Sequence, residues 1–178
     1  MIPKIAMIGG GSWATAIIKM LSDNTLPKEI FWWMRNPEAI THLQKYKHNP
    51  NYLSSVEIRI PAENISNSIS EVIEKADFIV LNVPAAFLKE TLVGITADQF
   101  KGKKFISAIK GVVPDENLII GEFLHTKYNI PLEDIVVISG PCHAEEVALE
   151  KLSYLTLASV DVQLAACLAG MLKTRYIK

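Results

Sequence analysis

The chain has 178 residues, 49% of them apolar, and a formal net charge of −1. That length and apolar content suit one sizeable folded domain with a helix-covered sheet and exclude a disordered chain. With Lys and Arg scattered and charge near balance, there is no basic footprint for nucleic acid or for an acidic membrane surface.

Two cysteines, Cys142 and Cys167, make neither a disulfide framework nor a metal-ligand cluster. The opening MIPKIAMIGG lacks the cationic lead and long apolar core of a secretory signal. No segment reaches the roughly 18–20 uninterrupted apolar residues needed to span a bilayer. The expectation is a cytoplasmic protein without membrane insertion.

In chain order, Ile5–Ile8 reads as a short strand, and its unbroken apolar run suits burial on both faces. Three glycines follow, then a helix over 12–21. A second strand over 30–34 closes at Arg35-Asn36-Pro37, where Pro37 suits the first position of a helix. Residues 46–65 are polar, Asn-rich and broken by Pro50 and Pro61, and read as loops with at most a short strand. A helix over 68–75 leads to a strand over 77–83, ended by Pro84, and a helix over 85–92. Then come a strand over 104–109, a helix over 118–128, a strand over 135–138 and the turn Ser139-Gly140-Pro141. A late strand over 154–158 and a helix over 162–173 complete the series. This alternation predicts an α/β fold: a Rossmann-type, doubly wound, mostly parallel sheet with helices on both faces.

Gly9-Gly10-Gly11-Ser12-Trp13-Ala14 matches G-x-G-x-x-G/A directly after the first strand and at a helix opening. Gly9 permits the tight turn, Gly11 leaves no side chain before a pyrophosphate, and Ala14 lets the helix pack closely. Free N–H groups and the helix dipole would then favour phosphate, and Ser12 can cap the helix or donate to that phosphate. Gly9, Gly11, Ser12, Trp13 and Ala14 are therefore the candidate cofactor contacts of this loop. A G-K-[ST] signature is missing, which disfavours a nucleoside triphosphate loop. The end of the second strand carries Arg35 where an NAD-selective site has an acid. Arg35 can pair with the 2′-phosphate of NADP, stack on adenine, or stand solvated at the surface; the reading leans to NADP, with NAD left open.

Further segments sit at strand ends: NVPAAF at 82–87, SAIKG at 107–111 and SGPCHAEEVA at 139–148. With GGGSWATA at 9–16 and WMRN at 33–36, their order and spacing resemble the N-terminal domain of the NAD(P)-dependent glycerol-3-phosphate dehydrogenase family. The resemblance covers essentially the whole chain. It implies reversible hydride transfer between NAD(P)H and dihydroxyacetone phosphate, giving sn-glycerol 3-phosphate for phospholipid synthesis. Lys110 is then catalytic and also contacts cofactor and substrate; from its place at a strand end alone, it could polarise a carbonyl, hold phosphate, or be a surface lysine. The resemblance places Phe87 and Ala144 near the cofactor, although Phe87 could equally be core. Asn82 and Pro84 shape the bordering loop, while Ser139 and Gly140 approach the substrate. It also implies that residues 1–178 are the N-terminal NAD(P)-binding domain, that a helical substrate domain lies outside this chain, and that the full-length protein can form a homodimer. The fragment alone is expected to bind cofactor with little turnover.

His143, Glu145 and Glu146 invite a metal reading, but His42, His48 and His125 look dispersed and no ligand spacing is present. The expectation is no metal, with the two acids in the first turn of a helix. Cys142 lacks an adjacent base and is not read as a nucleophile. Cys167, in an apolar stretch, is expected in the core. Rival readings are another two-domain dehydrogenase, acting on a 2-hydroxy acid, a 3-hydroxyacyl thioester or a sugar nucleotide, and a non-catalytic dinucleotide-binding module.

Overall fold

The computed structural model describes residues 2–24 and 29–178. Among them, nine strands alternate with helices: β1 Ile5–Ile8, α1 Ser12–Asn24, β2 Ile30–Trp33, α2 Pro37–Tyr46, β3 Ile65–Ser66, α3 Ile69–Glu74 and β4 Phe78–Leu81, then α4 Leu88–Thr91, β5 Lys104–Ser107, β6 Val112–Val113, β7 Leu118–Ile119, α5 Ile120–Tyr128, β8 Ile135–Ser139, α6 Ala144–Ala148, β9 Thr156–Ser159 and α7 Val162–Leu172. Seven strands form one sheet in the order β3-β2-β1-β4-β5-β8-β9. Every pairing in it is parallel except β8 with β9. The doubly wound, mostly parallel sheet read from the sequence is thus present.

The strands are apolar throughout because both faces are covered. Ile5 and Met7 of β1, Phe78 and Val80 of β4, and Val136 and Ile138 of β8 share one core with α1, α2, α6 and α7. The alternate residues Ala6, Ile8, Ile79, Leu81 and Ile135 enter a second core under α3, α4 and α5. Period-2 side-chain alternation therefore sorts one apolar run into two cores. Taking each large apolar side chain out of water contributes about 1.5–3 kcal/mol.

Local signals set several boundaries. Asn36 caps α2 by accepting from the N–H groups of Glu38 and Ala39, with Pro37 at the opening of the helix. Ser68 caps α3 by accepting from the Glu71 N–H. Three readings are corrected. The helix expected from residue 118 starts at Ile120, because Leu118 and Ile119 pair antiparallel with Val112 and Val113 in a hairpin. The segment 85–92 opens with a 3-10 turn, Ala85–Phe87, before α4. Cys167 is exposed, not core. α7 buries Leu164, Leu168 and Leu172, four residues apart, and that stripe turns Cys167 outward.

Candidate functional site

β1, β4, β5 and β8 end on the same edge of the sheet, which brings 9–14, 82–87, 108–110 and 139–144 together. The chain leaves β1 toward β2 on one side and resumes at β4 on the other, so β1 and β4 flank the topological switch point. A groove crosses it in two parts. One, of about 420 Å³, is lined by Gly9, Arg35, Tyr52 and Phe87 among others. The other, of about 490 Å³, is lined by Ser12, Trp13, Lys110, Ser139, Gly140 and Ala144 among others. Gly11, Asn82, Val83 and Pro84 border both, which joins them into one elongated site.

The glycine loop is built for close approach. Gly9 has φ +131°, and a Cβ there would stand 2.1 Å from the Asn82 carbonyl oxygen. Its N–H donates to Trp33 O at 3.2 Å, and its carbonyl accepts from Trp32 Nε1 at 2.6 Å. At Gly11 a Cβ would meet nothing within 4 Å, so that position faces open groove. Ala14 is fully buried under the sheet, as the motif requires. Ser12 opens α1, and its hydroxyl makes no hydrogen bond among the described residues. Asn82 lines both halves, yet its Nδ2 is buried without a hydrogen-bond partner. Such an orphan donor costs about 1–3 kcal/mol, and a ligand acceptor would relieve it. Open space at Gly11, an unpaired donor and a helix N-terminus together fit a dinucleotide with its pyrophosphate at the switch point.

At one end of the groove, Arg35 stands 5.8 Å from the centroid of the Phe87 ring. Phe87 is 46% exposed, which removes the core reading for it. At the other end Lys110 follows β5, is exposed, and makes no hydrogen bond or ion pair among the described residues. Its ammonium is free to meet a developing negative charge or a phosphate. Gly140 has φ +134°, and a Cβ there would lie 2.7 Å from Tyr154 O, so the turn after β8 needs glycine. Cys142 Sγ donates to Tyr154 O at 2.7 Å. Burial pushes this thiol up, with the Glu146 charge adding to the shift, so it stays protonated at neutral pH.

Glu145 and Glu146 occupy the first turn of α6, with His143 preceding it. The histidines are less dispersed than the sequence suggests: His42 and His48 bring their Nε2 atoms within 3.3 Å. His48 Nδ1 lies 3.0 Å from Tyr46 O, so Nδ1 is the donor to that carbonyl. The sequence reading also missed Asn51 and Tyr52, which line the Arg35 end. They lie in the segment assigned to loops. The usable signal was the alternation of Val56, Ile58 and Ile60 with Glu57 and Arg59, because those apolar residues are buried and anchor the segment.

An open parallel sheet with a glycine loop at its switch point and a groove across that edge defines a Rossmann-type domain. Residues 4–165 match the family described as NAD-dependent glycerol-3-phosphate dehydrogenase N-terminus, and the chain belongs to that family. The chain is 32% identical to a Bacillus velezensis protein named glycerol-3-phosphate dehydrogenase [NAD(P)+], over 98% of this chain and 50% of that one. A Plasmodium falciparum glycerol-3-phosphate dehydrogenase structure superposes with a TM-score of 0.84 at 26% identity, covering 99% of this chain and 51% of the other. A Coxiella burnetii structure of the same name, at 23% identity and a TM-score of 0.82 over 99% of this chain and 52% of that one, shares the fold. The chain spans about half the length of the curated relatives it matches. Among the described residues no helix is long and apolar enough to cross a membrane.

Proposed function

We propose that this chain binds NADPH or NADH along the groove and serves the reversible reduction of dihydroxyacetone phosphate to sn-glycerol 3-phosphate. The observation that carries the reading is one continuous groove with the glycine loop at its middle and the unpaired Lys110 ammonium at one end. When bound, the cofactor supplies the hydride that reaches the carbonyl carbon. The loop from Gly9 to Ala14 receives the pyrophosphate. Arg35 meets the adenosine end, with Phe87 and Tyr52 walling it, and Asn82 with Pro84 borders the middle. Trp13 and Ala144 border the nicotinamide end. Lys110 stabilises negative charge on the substrate oxygen as hydride adds to the carbonyl carbon, the oxygen taking a proton from the lysine or from water, or it holds the substrate phosphate, with Ser139 and Gly140 beside it.

On this reading residues 1–178 are the N-terminal NAD(P)-binding domain, and the rest of the substrate pocket is supplied by a helical domain outside them. Hydride transfer needs both reactants fixed in one closed site, so the 178 residues alone are expected to bind cofactor with little turnover. The proposed partners are the phosphorylated triose and, in the full-length protein, a second copy, in a cytoplasmic setting. Family membership and the free lysine favour an enzyme over a non-catalytic dinucleotide module.

Fluorescence titration of the chain with NADPH and NADH separately tests the reading. Tighter NADPH binding that falls about tenfold in Arg35→Ala, toward the NADH value, places Arg35 on the 2′-phosphate. NADH binding unchanged by the substitution keeps the dinucleotide and removes the NADP preference. Binding of neither contradicts the reading.

A further inference from the structure

Behind the groove, two polar side chains are fully buried in an apolar core: Asn49 and Thr15. Burying an amide and a hydroxyl is unfavourable unless each finds partners. Here the partners are the glycine loop itself. Asn49 Nδ2 donates to Gly10 O and to Thr15 Oγ1, each at 3.0 Å. Thr15 Oγ1 donates onward to Gly11 O at 3.0 Å. The Asn51 N–H donates to Asn49 Oδ1 at 3.1 Å, which fixes the amide's orientation. Gly9 O is held separately by Trp32 Nε1.

The carbonyls of Gly9, Gly10 and Gly11 are thus all taken up, Gly11 O by the Thr15 backbone N–H of α1 at 3.0 Å as well as by the Thr15 hydroxyl. Three lone-pair-bearing oxygens turned toward an anion would repel it. Turned away and held, they leave the N–H groups of Ser12 and Trp13 at the opening of α1 without intrahelical partners and free for the groove. The loop carrying Asn49 has its own anchors. Lys47 ends α2 in the left-handed conformation with its N–H on Leu43 O, the Ile58 N–H donates to Lys47 O at 2.7 Å, and Val56, Ile58 and Ile60 are buried. The same loop places Asn51 and Tyr52 on the groove.

We infer that Asn49 and Thr15 are positioning residues that preorganise the glycine loop for the cofactor's pyrophosphate, and that the segment after α2 serves as the loop's back wall. The inference rests on the dinucleotide reading of the groove. It predicts a penalty specific to ligands that carry the pyrophosphate, whereas a purely structural pair would affect stability and all ligands alike.

The test uses the purified chain with ADP-ribose, which carries the pyrophosphate, and adenosine, which does not, titrated by NMR. Thr15→Val keeps the side-chain volume and removes the hydroxyl. It is expected to raise the Kd for ADP-ribose about tenfold, while adenosine stays within about twofold of wild type. Thr15→Ser, which restores the hydroxyl, should return ADP-ribose binding to within about twofold. Asn49→Ala should follow Thr15→Val, and circular dichroism of each unliganded variant identifies any that fails to fold. An unchanged Kd for ADP-ribose in folded Thr15→Val overturns the inference, as does equal weakening of adenosine or failure of Thr15→Ser to rescue. If wild type binds neither ligand, the dinucleotide reading falls first and takes the inference with it.

Discussion

The two ends of α1 sit in regions held together by different physics. Its opening turn belongs to the glycine loop, where neutral hydrogen bonds from Trp32, Asn49 and Thr15 fix the backbone. Its later turns face the segment after β8, which is held by the buried Leu164, Leu168, Leu172 and Ile177 and by the β8–β9 pairing, with a charged cluster added at its end. Lys19 Nζ donates to Glu150 Oε1 at 2.9 Å, Asp23 Oδ2 at 3.0 Å and Tyr176 Oη at 3.2 Å. Tyr176 Oη donates to Asp23 Oδ2 at 2.8 Å, and Arg175 pairs with Glu150. In the same segment Leu149, Leu152, Tyr154, Val160 and Val162 are exposed. The comparison teaches that the glycine loop is held by neutral hydrogen bonds indifferent to pH, whereas the C-terminal segment adds to its apolar packing a set of ionised contacts that acid or strong alkali can remove.

The largest expected effect breaks the first region. Gly9→Ala forces a Cβ against the Asn82 carbonyl at a φ that L-residues rarely adopt. It should cost on the order of 3 kcal/mol and abolish cofactor binding, read as a fall in Tm and a flat NADPH titration. A variant with wild-type Tm and binding would show that the loop yields more easily than its contacts indicate.

A smaller effect separates the second region by pH. Hydrogen bonds from Lys19 and then Arg175 lower the Glu150 carboxyl to about 2, below its ordinary value of 4.5. A depressed carboxylate adds stability that is complete above the unfolded value and is lost as pH falls from about 4.5 toward about 2. For Lys19, burial opposes the charge, but the bonds to Glu150, Asp23 and Tyr176 outweigh it and raise the pKa. That contribution is intact below 10.5 and lost only in strong alkali. Amide protection factors, measured against the intrinsic exchange rate at each pH, should therefore fall in residues 150–178 before they fall in the β1 strand as the solution is acidified. Glu150→Gln should flatten that dependence; an acid response unchanged by the substitution would remove Glu150 as its source.

Much of the dinucleotide end was legible because its signals are local. A glycine spacing, a strand of unbroken apolar residues and Pro37 after Asn36 each carry their meaning within a few residues. What stayed hidden depends on partners far along the chain. Asn49 looks like any loop asparagine until Gly10 O and Thr15 Oγ1, more than thirty residues earlier, are placed against it. Leu118–Ile119, which pair with Val112–Val113 in a hairpin, were absorbed into the following helix and Val112–Val113 were left unassigned, since two-residue strands are too short for a period to register. Cys167 shows the opposite error: in a helix rich in apolar residues, composition suggested burial, but only the stripe through Leu164, Leu168 and Leu172 is covered.

The most direct test of the central claim, that one groove across the switch point receives the whole dinucleotide, is an amide NMR titration of the chain with NADPH. The account predicts shifts at Gly11, Ser12 and Trp13, at Arg35, and at Lys110 and Ala144, with ADP-ribose reproducing the shifts at the glycine loop and Arg35 but not those at Lys110 and Ala144. Shifts that leave the glycine loop untouched, or a spectrum unchanged at saturating NADPH, would contradict it.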